Sequence, residues 1–474
     1  MGETWNDRYR RHWEQSSAPA VVTADGIWSG RELTRRAGGA AAWLDRCGYP
    51  VGHPIPAVLD QSPTAIALAL GATLSGRPLA PLGTKLPAAD LGAAIAGLGA
   101  RGVVTTADLA DRAGAVAELV DVSVHVLDGV PGEGPEPAHV ADPDDVAFIV
   151  HTSGTTGAPK AIPVRHRSMV ARCDVYGSVV PMGAGDRYCS ASPFHHTAGI
   201  SMVYTALGRG CALIPQAWFS IEGWKLAGEL GVTVALLVPT MIEMLLTAGA
   251  LGDAEPGHLQ YGAAPIHPGT LTAALAALPR TRFVQIFGQT EMSPFTHLPH
   301  EDHVRALAGR LDLLSTVGRP VPGVEVRLDH ADEDGVGELV FRGPHAFVVD
   351  DDGWRRSGDL GTVDGDGYIR ILNRKDDKII RGGENIYPIE VETALLEHPG
   401  VREVAVVGVP DRRLGEIVLA AVVATDPARP PEVDDLVAHA RQRIAHFKVP
   451  EMIQFVPELP RTVSGKVMRR ALVS

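Results

Sequence analysis

The pattern of apolar and polar positions changes character along the chain. Up to Phe287, short β-type apolar runs alternate with stretches of helical period. Val103–Thr105, Val122–Leu127, Val146–Val150, Ala212–Ile214, Val234–Val238 and Phe283–Ile286 read as strands. Trp224–Leu230 reads as a helix between two of them. Ser29-Gly30-Arg31-Glu32 is a capping-box pattern before an Ala-rich helix that ends near Gly48. Gly132–Pro137 is a loop. Strands separated by helices predict parallel, doubly wound sheets of the α/β class.

The alternation then tightens. Val324–Leu328, Gly337–Arg342 and Tyr368–Leu372 alternate apolar with polar and are joined by Gly/Asp turns. They predict an antiparallel, β-barrel-like segment. Beyond Asn373–Asp377 the pattern mixes again, with helices at Ile389–His398 and Val433–Ala445 and strands at Val404–Val409 and Ile417–Val423. The charged run Arg374–Lys378 is the expected boundary, giving domains 1–374 and 375–474.

Composition narrows the function classes. A chain of 474 residues exceeds what one core supports, and 45% hydrophobic content supplies more than one. The net charge of -13 argues against a nucleic-acid partner, and Arg469-Arg470 is too short a basic cluster to reverse it. Cys47, Cys173, Cys189 and Cys211 are scattered, which disfavours a disulfide scaffold or zinc site and fits a reducing cytoplasm. The N-terminus lacks a secretory pattern, Gly2 lacks the myristoylation context, and no apolar run reaches the roughly 20 residues of a bilayer span.

The densest chemistry follows the apolar run Val146–Val150. His151-Thr152-Ser153-Gly154-Thr155-Thr156-Gly157-Ala158-Pro159-Lys160 holds two glycines, four hydroxyl residues in five positions, and a lysine. Backbone N–H groups, hydroxyls and a lysine together suit phosphate oxygens. The spacing is not that of a Walker A loop, which needs Gly, four residues and Gly-Lys-Ser/Thr. Three further segments carry chemistry. Phe287-Gly288-Gln289-Thr290-Glu291 follows a buried strand, where ligands of open parallel sheets bind. An aromatic there can stack on a base, a threonine donate to phosphate and a glutamate hold Mg²⁺. Asp359, after the Gly turn of Trp354-Arg355-Arg356-Ser357-Gly358, can accept from both hydroxyls of a ribose. Leu459–Lys466 presents Lys466 on a Gly-hinged loop.

In this order, these segments resemble the adenylate-forming superfamily, which includes acyl-CoA synthetases, nonribosomal-peptide adenylation domains and beetle luciferases. The resemblance runs from Ser29 to Arg470. It implies a large N-terminal domain of two doubly wound sheets plus the barrel-like subdomain, and a small mobile C-terminal α+β domain. It implies that Thr152, Ser153, Gly154, Thr155, Thr156, Gly157 and Lys160 hold the ATP phosphates. Gly262, Ala263 and Ala264 then lie along adenine and Phe287 stacks on the base, with Gly288 and Gln289 also among the cofactor-binding positions. Thr290 contacts phosphate, Glu291 holds Mg²⁺, and Asp359 and Arg374 hold the ribose. Lys466 bridges the substrate carboxylate and the α-phosphate. Asp376 is the hinge on which the small domain turns, and Gly382-Gly383 then faces the CoA tunnel.

Ser192–Gly199 resembles the family's segment beside the acyl pocket. His196 takes the motif histidine, and His195 replaces the usual aromatic. No pocket aspartate for a substrate amine is evident, which favours acyl- or aryl-CoA synthetases over amino-acid activation. Val238-Pro239-Thr240, Gly262–Ala264 and Ser201 are the other expected pocket positions. Three departures stand out: Asn373 replaces a usual Gly and is expected to shift a turn, His345–Asp352 is shortened, and His151 replaces an aromatic or aliphatic residue.

The resemblance implies an ATP-dependent acyl-CoA synthetase. A carboxylic acid and ATP give acyl-AMP and pyrophosphate, and CoA then displaces AMP. Mg²⁺ is the expected metal and a homodimer the default assembly. Two other readings stay open: a stand-alone enzyme that loads an acyl carrier protein, and a non-catalytic adenylate-binding protein. Intact Glu291, Asp359 and Lys466 weigh against the second.

Overall fold

A computed structural model describes residues 2–152, 159–264, 266–461 and 467–473. By its internal contacts the chain divides into two units. The first is Met1–Glu325 with Arg342–Arg355, and the second is Val326–Phe341 with Arg356–Ser474.

The first unit is built on two α/β sheets. One has nine described strands. Its centre, from Arg282–Gln289 through His258–Gly262, Val234–Leu237, Arg187–Ser190 and Ala212–Pro215 to Pro19–Thr23, is parallel. The edges Met292–Leu298, Arg319–Pro320 and Gly26–Ser29 are antiparallel. The other sheet has six described strands. Ser123–Leu127, Gly102–Thr106, Ile55–Val58, Leu79–Leu82 and Val146–Thr152 run parallel, and Lys160–Arg165 closes the edge antiparallel. The expected strands are therefore present, with antiparallel edges that the helix–strand alternation did not disclose.

Small residues set the helix packing. The helix Pro63–Leu74 is buried almost all round, as its unbroken apolar run requires. It packs on Gly30–Arg46, where a Cβ at Gly71 would come within 2.4 Å of the Ala37 carbonyl. On the other side of Gly30–Arg46, Gly38 admits the Pro135 carbonyl, 2.2 Å from where a Cβ would sit. The Gly132–Pro137 loop is thus seated on that helix. The capping box expected there is half formed. Ser29 Oγ accepts from the Glu32 N–H at 3.2 Å, but the Glu32 carboxylate turns to Arg36 one turn on.

A complete box stands instead at Thr4 and Asp7, before the helix Trp5–Trp13. Trp5, Tyr9 and Trp13 lie four apart and are buried, and each contributes about 2–3 kcal/mol by burial. The two indoles donate to the Tyr204 and Leu207 carbonyls at 2.9 and 2.7 Å.

The second unit holds two smaller sheets. The segment expected to be barrel-like is a four-stranded sheet in chain order: Glu325–Asp329, Gly337–Arg342, Arg355–Val363, Ile369–Arg374. The other sheet runs Glu384–Ile386, Ile379–Arg381, Gly415–Ala424, Val401–Asp411, with Met452–Phe455 parallel to Gly415–Ala424. The helices Pro388–Leu396 and Val433–Arg441 cover it through Val391, Leu395 and Leu436.

Candidate functional site

The hydroxyl-rich loop is a hairpin connection. Val146–Thr152 and Lys160–Arg165 pair antiparallel with Thr152 opposite Lys160. A P-loop instead joins a strand to a helix, so the topology agrees with the spacing in excluding one. Thr152 is half-buried at one foot and Lys160 exposed at the other. Ser153, Gly154, Thr155, Thr156 and Gly157 lie outside the described residues.

The Phe287–Glu291 segment is more ordered than a strand-to-loop junction. The strand Arg282–Gln289 returns as Met292–Leu298 with Gln289 opposite Met292, so Thr290 and Glu291 form a two-residue tip. The register shifts across Gly288, where a Cβ would meet Ser293 at 2.9 Å. Phe287 packs its ring 5.6 Å from Phe295. On the adjacent parallel strand Gly262 lies opposite Ile286, so Gly262–Ala264 and Phe287 share one carboxyl-terminal edge. A Cβ at Gly262 would lie 2.1 Å from the Ile286 carbonyl. Ala263 is exposed with φ +67°, a left-handed conformation that costs a non-glycine residue about 1–2 kcal/mol. Strain of this kind concentrates at ligand-binding positions.

Three groups that sequence reasoning missed fix this hairpin. Arg355 Nη2 donates to Glu291 Oε1 at 3.1 Å. The shortened segment docks on the same residue, with the Phe347 N–H 2.7 Å from the Glu291 carbonyl. Arg172, fully buried, donates to the Ser293 carbonyl and to Thr205 Oγ1 and lies 5.1 Å from the Tyr176 ring. The Glu291 carboxylate and Thr290 hydroxyl are hard oxygen donors. They suit a Mg²⁺ that arrives with phosphates and needs few protein ligands. Among the described residues no group of three or more His, Cys, Asp or Glu could hold a metal without such help.

His196 precedes the π-turn Thr197–Ser201 that follows the strand Arg187–Ser190. Gly199 is required there, because a Cβ would lie 2.1 Å from the Pro193 carbonyl. The His195 and His196 rings lie against each other, centroids 4.1 Å apart and tilted by 37°. His195 is buried, and a Cβ built on Gly83, just past Leu79–Leu82, would sit 2.9 Å from its Nε2. Burial first, then repulsion by His196 and His151, pushes His195 down to about 3. Burial pushes His151 down to about 4. Thr197 Oγ1 donates to the buried Ser201 at 3.2 Å, and Val238 caps the helix Pro239–Thr247.

In the second unit Asp359 and Arg374 are direct cross-strand partners. Arg374 Nε donates to Asp359 Oδ1 at 3.0 Å and Nη1 to the Ser357 carbonyl at 3.1 Å. Asp359 is buried and Arg374 half-exposed. The Gly turn expected before Asp359 is instead the interior of the strand Arg355–Val363, with Gly358 at φ +71°. Asn373 likewise shifts no turn: it is buried within Ile369–Arg374, opposite Leu360. Glu338 accepts from the Gly358 N–H at 3.2 Å and from Lys375 Nζ at 2.8 Å, a link the sequence did not suggest. Gly382-Gly383 is a two-residue hairpin turn between paired Arg381 and Glu384, with φ +59° and +92°, the conformation that favours glycine at both positions. Asp376 lies in the turn Lys375–Asp377, its side chain outside the described residues. Lys466 also lies outside them.

Comparison with known proteins decides the family. A model described as "AMP-binding enzyme" matches residues 10–348, and one described as "AMP-binding enzyme C-terminal domain" matches 390–466. The chain belongs to the AMP-binding enzyme family. It is an adenylate-forming enzyme of the acyl-CoA synthetase type, an AMP-forming acid–thiol ligase. A feruloyl-CoA synthase of Amycolatopsis is 32% identical over 92% of both chains. A fatty acid–[acyl-carrier-protein] ligase of Streptomyces coeruleorubidus is 31% identical over 97% of this chain and 93% of its own. The amide bond synthetase McbA of Marinactinospora thermotolerans superposes with a TM-score of 0.87 at 28% identity, covering 99% of each chain. Among the described residues of this AMP-binding enzyme, no helix is long and apolar enough to cross a membrane.

Proposed function

We propose that the protein is an ATP-dependent acyl-CoA synthetase that activates a small carboxylic acid as its acyl-adenylate and passes the acyl group to CoA. The observation that carries this reading is the ordered match of both family regions across one chain, with Glu291, Asp359 and Lys466 all retained.

The acid's carboxylate oxygen attacks the α-phosphorus of ATP and expels pyrophosphate. Anion meets anion, so the barrier falls when fixed cations sit on both. Lys466 bridges the carboxylate and the α-phosphate. Thr152–Lys160 and Thr290 hold the phosphates, and Lys160 retains the departing pyrophosphate. A Mg²⁺ held by Glu291 would neutralise phosphate charge. Phe287 and Gly262–Ala264 orient adenine, while Asp359 and Arg374 orient the ribose. His196 lies beside the acyl group. The CoA thiol then attacks the acyl carbonyl and AMP leaves. This step has no need of Lys466, so residues 375–474 turn about Asp376 and bring Gly382-Gly383 to the pantetheine arm. The expected setting is the cytoplasm.

The fatty acid–[acyl-carrier-protein] ligase among the relatives keeps a second acceptor in view. Carboxylic acids screened by pyrophosphate release, with CoA in one arm and holo-acyl carrier protein in the other, separate the two. Faster thioester formation on CoA is expected, and thioester on the carrier protein alone would overturn the choice of acceptor. The Lys466→Ala variant should lose about 10²–10³-fold in acyl-adenylate formation, the scale of one electrostatic donor removed. It should still convert supplied acyl-adenylate to thioester at a near-normal rate.

A further inference from the structure

Three histidines from two separate segments meet where the carboxyl ends of the two sheets of the first unit come together. His151 ends its parallel run beside Leu79–Leu82, and Gly83, which follows that strand, abuts His195. His195 and His196 follow Arg187–Ser190 of the other sheet. Carboxyl ends of parallel strands are where open α/β sheets bind ligands. Both ring nitrogens of His151 are sealed from solvent, and among the described residues neither meets a partner in good hydrogen-bond geometry, the backbone of Pro81 being the nearest polar influence on the ring. A buried polar atom without a partner is costly, and one at a ligand-binding edge is accounted for by a ligand that completes it.

We propose that the acid this enzyme activates carries a hydroxyl on its tail, hydrogen-bonded between His151 and His195. The inference rests on the adenylation reading above. A neutral imidazole offers one donor and one acceptor. A hydroxyl can donate to one ring while accepting from the next, whereas a carbonyl can only accept. An alkyl tail would leave the His151 nitrogens as they are. A second carboxylate or a sulfonate would call for a protonated ring. Burial opposes that in both rings, and repulsion from His196 and His151 adds to it at His195, holding His195 near 3 and His151 near 4. Two of the three histidines are this chain's departures from the family pattern, so the polar lining is its own.

The test uses matched acids, 4-hydroxycinnamate against cinnamate and 8-hydroxyoctanoate against octanoate, with pyrophosphate release as the readout. In at least one pair the hydroxylated acid should lead by about ten-fold or more in kcat/KM, since a site built to bond a hydroxyl rejects the analogue that lacks it. His195→Phe and His151→Phe should each shrink that ratio toward one, with thermal unfolding and ATP binding checked alongside. The wild-type ratio needs no variant. Cinnamate and octanoate each turned over as well as its hydroxylated partner overturns the proposal and leaves the adenylation reading standing. So does a hydroxyl preference that persists in both variants. Pyrophosphate release with none of a broad panel of carboxylic acids overturns both.

Discussion

The Asp359–Arg374 pair and the histidine cluster are opposite solutions to placing polar groups in a site. Asp359 and Arg374 face each other across neighbouring strands and are joined at 3.0 Å. The partner is supplied by the fold, so the carboxylate is oriented before ligand arrives. His151 is as firmly placed by its strand, yet among the described residues its nitrogens meet no partner in good hydrogen-bond geometry. The first arrangement keeps a charge in position, as the ribose-binding role proposed for the pair would need. The second leaves bonding capacity for a ligand to fill. Which groups the chain satisfies by itself, and which it leaves open, separates positioning from recognition.

The sharpest way to break this contrast is Asp359→Ala. It removes the proposed ribose acceptor and leaves Arg374 without its carboxylate. Hydrogen bonds to charged groups are worth about 1.5–3 kcal/mol each, so kcat/KM for ATP should fall by at least about 10²-fold. Steady-state kinetics at saturating acid checks this, and a change under threefold would remove Asp359 from the nucleotide site. A smaller effect is expected at Gly383→Val. A β-branched residue at φ +92° strains the hairpin by about 1–3 kcal/mol. Thioester formation should slow by about ten-fold or more while acid-dependent pyrophosphate exchange holds within about twofold. Equal losses in both half-reactions would deny the turn a separate role with the thiol.

The smallest effect sharpens the histidine side. His195 and His151 titrate near 3 and 4 in the folded chain, below the unfolded value of about 6.5. At pH 7 both are neutral in either state. Below about 6.5 the unfolded chain takes up protons that the folded chain refuses, so stability falls as pH drops toward 4. Each ring adds up to about 1.4 kcal/mol per pH unit to that slope. Buried His166, His303 and His345, each pushed down to about 4, act in the same direction. Urea midpoints between pH 7 and 5 should therefore fall less in His195→Phe than in wild type, and an unchanged slope would mean that His195 already carries a proton partner.

Much of this was legible in the sequence where one residue pattern dictates one local geometry. The apolar run Val146–Val150 and the alternation of Gly337–Arg342 each became the strand expected. Motif order also identified the family. Pairings between distant segments were not legible. Nothing local tells Arg355 to hold Glu291, Glu338 to hold Lys375, or His345–Asp352 to dock on the hairpin tip. Asp359 was sought after a turn because Ser-Gly-Asp is turn-like in isolation; sheet pairing with Ile369–Arg374 overrode that preference. The N-terminal helix could have been found, since Thr4 and Asp7 make the box and Trp5, Tyr9 and Trp13 repeat every fourth position.

The most direct test of the central claim is isotopic pyrophosphate exchange into ATP, without thiol, across a panel of carboxylic acids. Exchange that appears only with an acid present and disappears in Lys466→Ala is the predicted result. Exchange that needs no acid, or that survives in Lys466→Ala, would contradict adenylation by this site.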